Sequence, residues 1–293
     1  MSTHPDFPAN ANLPAPPVGL AEWNGIGLHP EDRRALAAAI RALEQTNFAM
    51  RLAAMGARRL GSLEGLLPPA LANAVHHATE KAIANALAVA LRSLGTRERS
   101  GRRSRIAHKA AVTMTGAAGG FFGLASLPLE LPVSTIVILR AIAGIAQSEG
   151  EDLSDPDAAL ACLQVFAMGA HDGGREFSES GYFAVRGLLA KAVSEASRFA
   201  LERGVADQAA PALLRFVSLI GARFGVVVSQ KLAAQAIPVL GAAGGAAINY
   251  AFAAHFQSIA SGHFTIRRLE RVYGAALVRA EYERLRPAVH AAA

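Results

Sequence analysis

The 293-residue sequence contains a single cysteine, Cys162, and aromatic residues make up only 6% of it. One cysteine excludes an intrachain disulfide and a zinc site built from several thiolates, so the expected compartment is a reducing cytoplasm. The scarcity of aromatic residues argues against a β-sandwich or barrel, because strands favour aromatic and β-branched side chains. Charged residues are also few, at 18%. The mean hydropathy of +0.27 lies between that of an ordinary soluble domain and that of a multi-span membrane protein.

Small residues are abundant instead, with 64 Ala and 27 Gly. Alanine is the strongest helix former, so we predict an all-α multi-helix bundle of about 8 to 10 closely packed helices. Residues 1–30 contain six of the 14 prolines and have neither a basic segment nor an apolar run typical of a signal peptide. We therefore expect a disordered Pro-rich tail over residues 1–29, one helical domain over 30–286 and a C-terminal tail over 287–293.

Apolar periodicity and capping residues predict where the helices lie. Asp155 and Pro156 form a typical pair of N-cap and first helical residue. From Leu232 to Ile266 there is no Asp, Glu, Lys or Arg, and an amphipathic Arg-rich helix is expected to follow. The predicted helices begin at Pro30 and then cover Pro69 to Gly95, 133–148, 156–171, 182–203, 207–236 and 267–286.

The positive charge is concentrated in one run. Six cations and one acid lie between residues 97 and 109, which accounts for +5 of the net charge of +6. The run contains no aromatic side chains that would read nucleic-acid bases, so no nucleic-acid partner is expected. It is interpreted either as a solvated helix start or as a patch that binds an anionic membrane surface. The cations are Arg97, Arg99, Arg102, Arg103, Arg105 and Lys109.

Two uncharged stretches, residues 110–129 and 232–254, are long enough to cross ~30 Å of hydrocarbon. They consist largely of Ala, Gly, Ser and Thr, which favour membrane insertion only weakly. We predict a buried hairpin in a soluble fold, with peripheral or partial membrane association as the alternative. Both stretches contain GAAGG, whose glycines lie four apart and allow helices to approach closely. The predicted packing glycines are Gly116, Gly119, Gly120, Gly123, Gly241, Gly244 and Gly245.

Two sequence blocks carry a family resemblance. Residues 115–153 contain a Gly-rich segment, an acidic-Leu-Pro turn and an apolar helix ending in Gly-x-Asp, and residues 231–274 combine Ile-Pro-x-x-Gly-Ala with Asn, His-Phe and Arg-Leu-Glu. Together they resemble the EcsC family of bacterial proteins. The resemblance implies a helical protein linked by name to an ABC-transporter and secretion locus, and it implies no catalytic residues. The matching residues are Gly119, Gly120, Glu130, Leu131, Pro132, Arg140, Gly150, Asp152, Ile237, Pro238, Gly241, Ala242, Asn249, His263, Phe264, Arg268, Leu269 and Glu270.

The common catalytic and nucleotide-binding motifs are missing: there is no P-loop, no Rossmann fingerprint, no HExxH and no GxSxG. No cofactor and no metal are therefore predicted. One weak catalytic candidate remains, because His255 and His263 lie about two helical turns apart and Glu270 follows seven residues later. Glu130 could join them from the other block. The alternative interpretation is that each imidazole simply bonds a neighbouring backbone or carboxylate group.

Two further polar residues stand out in apolar surroundings. Arg140 lies inside an apolar helix, where a buried guanidinium requires an acid. We predict a buried pair of Arg140 with Glu130, Asp152 or Glu270 that ties the first block to the second. The amide of Asn249 is expected to bond within the fold, with a ligand contact as the alternative.

These patterns predict a non-catalytic binding or regulatory module on the cytoplasmic face of a membrane, with a link to transport or secretion. Its expected partner is an anionic membrane surface or a membrane protein. A metal-dependent hydrolase that uses the His/Glu cluster is the first alternative. The second alternative is a carrier for an apolar small molecule or lipid, since Ala-rich helices can enclose an apolar cavity.

Overall fold

The computed structural model describes residues 27–44, 69–92, 127–170, 181–203, 210–235 and 241–291, which form eight α-helices and no strand. The predicted all-α multi-helix fold is confirmed. The helices are α1 (Pro30–Glu44), α2 (Pro69–Arg92), α3 (Leu127–Ser148), α4 (Pro156–Met168), α5 (Gly181–Arg203), α6 (Pro211–Gln235), α7 (Gly241–Tyr273) and α8 (Ala275–Ala291).

Helices α4 and α7 form the centre of the bundle. The 13-residue α4 is buried almost completely and contacts α2, α3, α5, α6 and α7. The 33-residue α7 packs against α1, α3 and α8 as well as α4 and α6. A cluster of phenylalanine rings with centroids 5.0 to 6.0 Å apart joins α4, α6 and α7. The rings belong to Phe166, Phe224, Phe252 and Phe256.

Local sequence determines where the helices start and stop. Pro30, Pro69, Pro156 and Pro211 are each the first residue of a helix, where the missing N–H costs no hydrogen bond. The carboxylate of Asp155 accepts a hydrogen bond from the backbone N of Asp157 at 2.9 Å, as the N-cap prediction requires. These starts agree with the sequence predictions to within a few residues.

Close helix approach occurs at glycines that the GAAGG repeat did not indicate. A Cβ at Gly262 of α7 would lie 2.8 Å from Leu43 Cγ and 2.9 Å from the backbone oxygen of Ala39, both on α1. On α6, a Cβ at Gly221 would lie 3.3 Å from the Cα of Glu80 on α2. A Cβ at Gly225, four residues later, would lie 3.6 Å from Thr79 Oγ1, which is an ordinary contact distance. The close approach of α6 to α2 is therefore at Gly221.

The C-terminal part differs from the prediction in two places. The predicted single helix over residues 267–286 is divided, because Gly274 has a φ of +84° between α7 and α8, and this left-handed conformation suits glycine. The predicted C-terminal tail over residues 287–293 is helical as far as Ala291. The predicted N-terminal tail lies outside the described residues except for residues 27–29.

By length and composition, two described helical segments could cross a membrane: Glu130–Ser148 and Pro211–Gln235. Of these segments, 56% and 50% respectively are buried inside the protein, and core helices of soluble proteins have the same composition. They are not the two stretches predicted from sequence. Residues 110–126 lie outside the described part, and within 232–254 side chains such as Leu232, Ile248 and Phe252 are buried.

Candidate functional site

A buried ion pair lies at the N-terminal end of α3. Lys231 Nζ of α6 is 2.7 Å from Glu130 Oε1 of α3, and their side chains are only 4% and 10% exposed. Asn249 of α7 donates its amide to the same carboxylate oxygen at 3.4 Å. The ammonium also lies 5.0 Å from the ring centroid of Phe252. This group, called the Lys231 site below, connects α3, α6 and α7.

The surroundings of the Lys231 site explain its charge state. Burial lowers the pKa of Lys231, and the adjacent Glu130 carboxylate opposes that effect by favouring the charged ammonium. Glu130 lies in the first turn of α3, where the helix dipole stabilises an anion. Asn249 Oδ1 is buried and accepts no hydrogen bond from the residues that the structure describes. The site therefore contains one ion pair and one buried acceptor that has no donor among the described residues.

The predicted buried pair of Arg140 is wrong. Arg140 is exposed, on the same outward face of α3 as Val133 seven residues earlier, which is 42% exposed. Within the described part of the chain no acid pairs with it. Because α3 is not buried around its whole circumference, the guanidinium reaches water and needs no acid. The three acids proposed as its partners bond elsewhere: Glu130 to Lys231, Asp152 to Ser154 and Glu270 to Arg186.

An arginine network lies at the opposite, C-terminal end of α3. In the turn after α3, Gly150 has a φ of +82°, and the carboxylates of Glu149 and Glu151 on either side of it face α7. Arg267 binds Glu151 through two hydrogen bonds of 2.8 and 3.0 Å, and Arg271 binds the same carboxylate. Arg268 bridges Glu149 of this turn and Asp32 of α1, each at 2.9 Å.

The pKa of Glu151 reflects this network. Burial alone would raise it, but hydrogen bonds and charge from Arg267, together with the charge of Arg271, bring the net pKa below its ordinary value. The Arg267 pKa is raised, because hydrogen bonding and charge from Glu151 and Asp157 outweigh the effect of burial. Both groups therefore stay ionised at every physiological pH, and the ion pairs of the network hold α3 and α7 together throughout that range.

The candidate catalytic residues point to different partners. His255 Nε2 lies 2.8 Å from the backbone oxygen of Gly169, whereas His263 Nδ1 lies 2.9 Å from the hydroxyl of Tyr182. Glu270 binds Arg186 through two hydrogen bonds of 2.8 and 2.7 Å. Among the described residues no group of three His, Cys, Asp or Glu side chains is arranged to hold a metal ion. The geometry thus corresponds to the interpretation in which each imidazole bonds a neighbour.

His263 is held neutral. Burial lowers its pKa well below the ordinary value, and the positive charges of Arg267 and Arg186 lower it further. The same burial raises the pKa of Tyr182 to about 12, so neither member of this pair is charged at neutral pH. Tyr182 and His263 are only 5% and 0% exposed, so this uncharged pair is a buried contact between α5 and α7.

Comparison with models of protein families shows to which family the chain belongs. The model of the EcsC protein family matches residues 33–269, which is most of the chain. The chain belongs to the EcsC family. No curated protein and no solved structure matches it. The EcsC match includes the complete Lys231 site and extends into the arginine network as far as Leu269.

Some residues singled out from the sequence lie outside the described residues. These are the basic run Arg97, Arg99, Arg102, Arg103, Arg105 and Lys109, the glycines Gly116, Gly119, Gly120 and Gly123, and the pair Ile237 and Pro238. Gly241, Gly244 and Gly245 form the start of α7, where Gly245 is buried.

Sequence reasoning missed Lys231, although it begins the second EcsC block. Its signal is periodicity: Phe224, Val227 and Lys231 follow one another on the buried face of α6, so a lysine interrupts an apolar stripe. A buried lysine on such a stripe requires a carboxylate. Arg186 and Tyr182 were missed for another reason, since their partners on α7 are more than 80 residues away in sequence.

Proposed function

We propose that the protein is a non-catalytic binding module that docks peripherally on the cytoplasmic face of an anionic membrane. Two features support the proposal: an exposed apolar face on α6 and the basic run over residues 97–109. The polar residues that could form a reaction centre are instead engaged in contacts that hold helices together. A transporter or secretion component at the same surface is the class of protein partner that the family resemblance suggests.

The outward face of α6 is the observation that carries this proposal. Leu219 and Val226 are 42% and 39% exposed, and the exposed Ala222 lies between them at a spacing of i, i+3 and i+7. Leu214, nearer the start of the helix, is 53% exposed. Single exposed apolar residues are ordinary, whereas several along one helix face indicate a binding surface. Such a face can lie at the boundary between lipid headgroups and acyl chains.

The basic run supplies the electrostatic part of the proposed docking. It contains six cations and Glu98 within 13 residues. Near an anionic membrane each cation contributes about 1 kcal/mol, so the run as a whole favours a charged over a neutral surface. The apolar face of α6 then contributes the part of the binding that salt does not screen.

Neither alternative function gains comparable support. A metal-dependent hydrolase needs His255, His263 and Glu270 to converge. His263 and Glu270 contact neighbouring residues of α5, but His255 contacts Gly169 after α4, and no three such side chains in the described part of the chain are arranged to hold a metal ion. An apolar carrier needs an enclosed apolar cavity. The cavity of about 360 Å³ between α3 and α7 is open and is lined mainly by polar residues: Ser148, Glu149, Gln257, Ser258 and Ser261.

Co-sedimentation with vesicles tests the electrostatic part. The full chain is mixed with phosphatidylcholine vesicles that either contain or lack phosphatidylglycerol. We expect binding to the anionic vesicles only, and a loss of roughly thirtyfold in Arg102→Gln with Arg103→Gln. The matched control is Arg34→Gln with Arg284→Gln, which removes two exposed cations from α1 and α8. Equal losses in the two double variants would contradict the proposal, as would equal binding to the two vesicle types.

A second pair of variants tests the apolar face. Leu219 of α6 and Val272 of α7 are 42% and 43% exposed, so their replacement by serine removes similar apolar surface from two different faces. We expect Leu219→Ser to lower binding at high salt by about fivefold and Val272→Ser to leave it unchanged. Equal losses in these two variants would exclude α6 as the membrane-facing helix.

A further inference from the structure

An open cavity of about 470 Å³ lies between α4, α5 and α7, beside Arg267 of the arginine network. This volume falls in the range of small-molecule sites. It is larger than a single phosphate or carboxylate group, so it leaves room for an organic part. The lining residues are Asp157, Gln164, Arg186, Ala190, Val193, Ser194, Ser197, Arg198 and Arg267.

Three guanidinium groups line this cavity against one carboxylate, that of Asp157. Arg198 is exposed and makes no ion pair or hydrogen bond with the described residues. Arg186 binds Glu270 through Nη1 and Nη2, and Arg267 binds Glu151 through Nε and Nη2. Asp157 is itself paired with Arg267 at 3.3 Å. The fixed arginines are therefore pre-oriented, and Arg198 brings a positive charge that no described acid neutralises.

Each of the two fixed arginines keeps an unused donor. A guanidinium has five N–H groups, and neither Arg186 Nε nor Arg267 Nη1 donates to a described residue. Because carboxylates behind the cavity hold both side chains in place, little conformational entropy would be lost when a ligand binds. Both arginines are therefore positioned to bind an anion in addition to the carboxylates that already hold them.

Two neutral polar side chains complete the lining. Gln164 and Ser197 are only 5% and 9% exposed, and their side chains have no hydrogen-bond partner in the described part of the chain. Their polar atoms are not among those sealed completely inside the protein, so they open onto the cavity. A buried amide or hydroxyl is normally hydrogen-bonded, and one that faces a cavity without a protein partner indicates a place for a ligand.

We propose that this cavity binds a small molecule bearing a phosphomonoester group, with Arg198, Arg186 and Arg267 around the phosphate and Ser197 and Gln164 as neutral donors. A phosphomonoester carries close to two negative charges and three terminal oxygens, which matches several donors better than one carboxylate does. The same group occurs in soluble metabolites and in the headgroup of phosphatidic acid. The proposal is independent of membrane docking through residues 97–109.

Calorimetric titration with inorganic phosphate tests the cavity directly, in an amine buffer and against sodium chloride of equal ionic strength. We expect saturable binding that Arg198→Gln weakens tenfold or more. Lys191→Gln is the matched control, because it removes an exposed cation from the same helix but outside the cavity. Ser197→Ala should also weaken phosphate binding while leaving the melting temperature without phosphate unchanged, which separates a ligand contact from a folding defect.

Two arms distinguish the sources of the phosphate group. Glycerol 3-phosphate represents a soluble ligand, and vesicles with phosphatidic acid, compared with equally charged phosphatidylglycerol vesicles, represent a lipid one. If Arg198→Gln weakens binding to only one of these two probes, that probe represents the source of the phosphate group. If Arg198→Gln and Lys191→Gln behave alike in both arms, or if wild type binds none of these probes, the proposal is overturned. Arg102→Gln with Arg103→Gln should leave phosphate binding unchanged. The cavity proposal and the membrane-docking proposal can therefore be refuted independently of each other.

Discussion

The two ends of α3 are attached to the rest of the bundle in different ways. At the N-terminal end, one buried lysine meets one buried carboxylate, with side chains 4% and 10% exposed. At the C-terminal end, Glu149 and Glu151 share Arg267, Arg268 and Arg271, whose side chains are 19%, 29% and 38% exposed. The first attachment is deeply buried, and the second is shared by several arginines and more exposed to solvent.

This difference has an energetic consequence. A carboxylate that is bound by two arginines keeps a partner when one of them is removed, and nearby water screens the remaining charge. A deeply buried ion pair is more sensitive, because the loss of one member leaves the charge of the other in a medium of low polarity. The N-terminal end of α3 should therefore tolerate substitution far less than the C-terminal end.

The largest expected effect comes from Lys231→Met. The variant keeps the apolar stem of the side chain but leaves Glu130 buried without its cation, so the free energy of unfolding should fall by about 3 to 5 kcal/mol. Urea denaturation followed by circular dichroism measures the loss. If the loss stays below about 1 kcal/mol, the site is hydrated and the contrast between the two ends disappears.

A double variant identifies the cause of that loss. Lys231→Met combined with Glu130→Leu removes both charges, and we expect it to recover most of the stability lost in the single variant. Recovery would show that the uncompensated carboxylate, and not a packing defect around Phe252, destabilises the protein. A double variant as unstable as the sum of the single variants would refute this explanation.

At the other end, Arg267→Gln and Arg271→Gln form a matched pair, since both side chains bind Glu151. Arg267 makes two hydrogen bonds to a carboxylate that is only 5% exposed, so its loss should cost about 1.5 to 3 kcal/mol. Arg271 is more exposed, and its loss should cost at most about 1 kcal/mol. Urea denaturation measures the free energy of unfolding of both variants. Equal losses would mean that the contribution of each arginine does not depend on how deeply it is buried.

The fold class and most helix starts were predictable, because they depend on local information. Alanine content, apolar periodicity and the Asp155 and Pro156 pair act within one helix, and the structure agrees with them. The division at Gly274 was missed, since a glycine in an amphipathic pattern reads equally well as a weak helix position and as a helix end.

The polar contacts were less predictable, because they depend on which faces of distant helices meet. A buried ion pair between the two blocks does exist, but its cation is Lys231 of α6 and not Arg140 of α3. Both residues interrupt apolar runs. Only the helix rotation distinguishes them: Arg140 shares a face with exposed Val133, whereas Lys231 shares a face with buried Phe224 and Val227. A face assigned from the complete helix, rather than from its most apolar residues, would have separated the two.

The smallest expected effect concerns the buried His263, which lies one turn before Arg267 and faces Tyr182, Arg186 and Arg267. Because its pKa is lowered in the folded protein, the folded state binds fewer protons than the unfolded chain below about pH 6.5. Stability is complete above that pH and falls as the solution is acidified, by at most about 1.4 kcal/mol per pH unit.

Replacement of His263 by glutamine removes this titration, so the stability of His263→Gln should depend less on pH than that of wild type. Tyr182 does not titrate in this window, since its pKa is raised to about 12, and the lowered pKa of Glu151 lies below it. Urea denaturation at about pH 7.5 and 5.5 measures the free energy of unfolding. Between these two pH values wild type should lose about 1 kcal/mol more than His263→Gln. His77→Gln, which replaces an exposed histidine of α2, is the control. If His263→Gln and wild type lose equal stability on acidification, burial and the two arginines do not hold this histidine neutral in the folded protein.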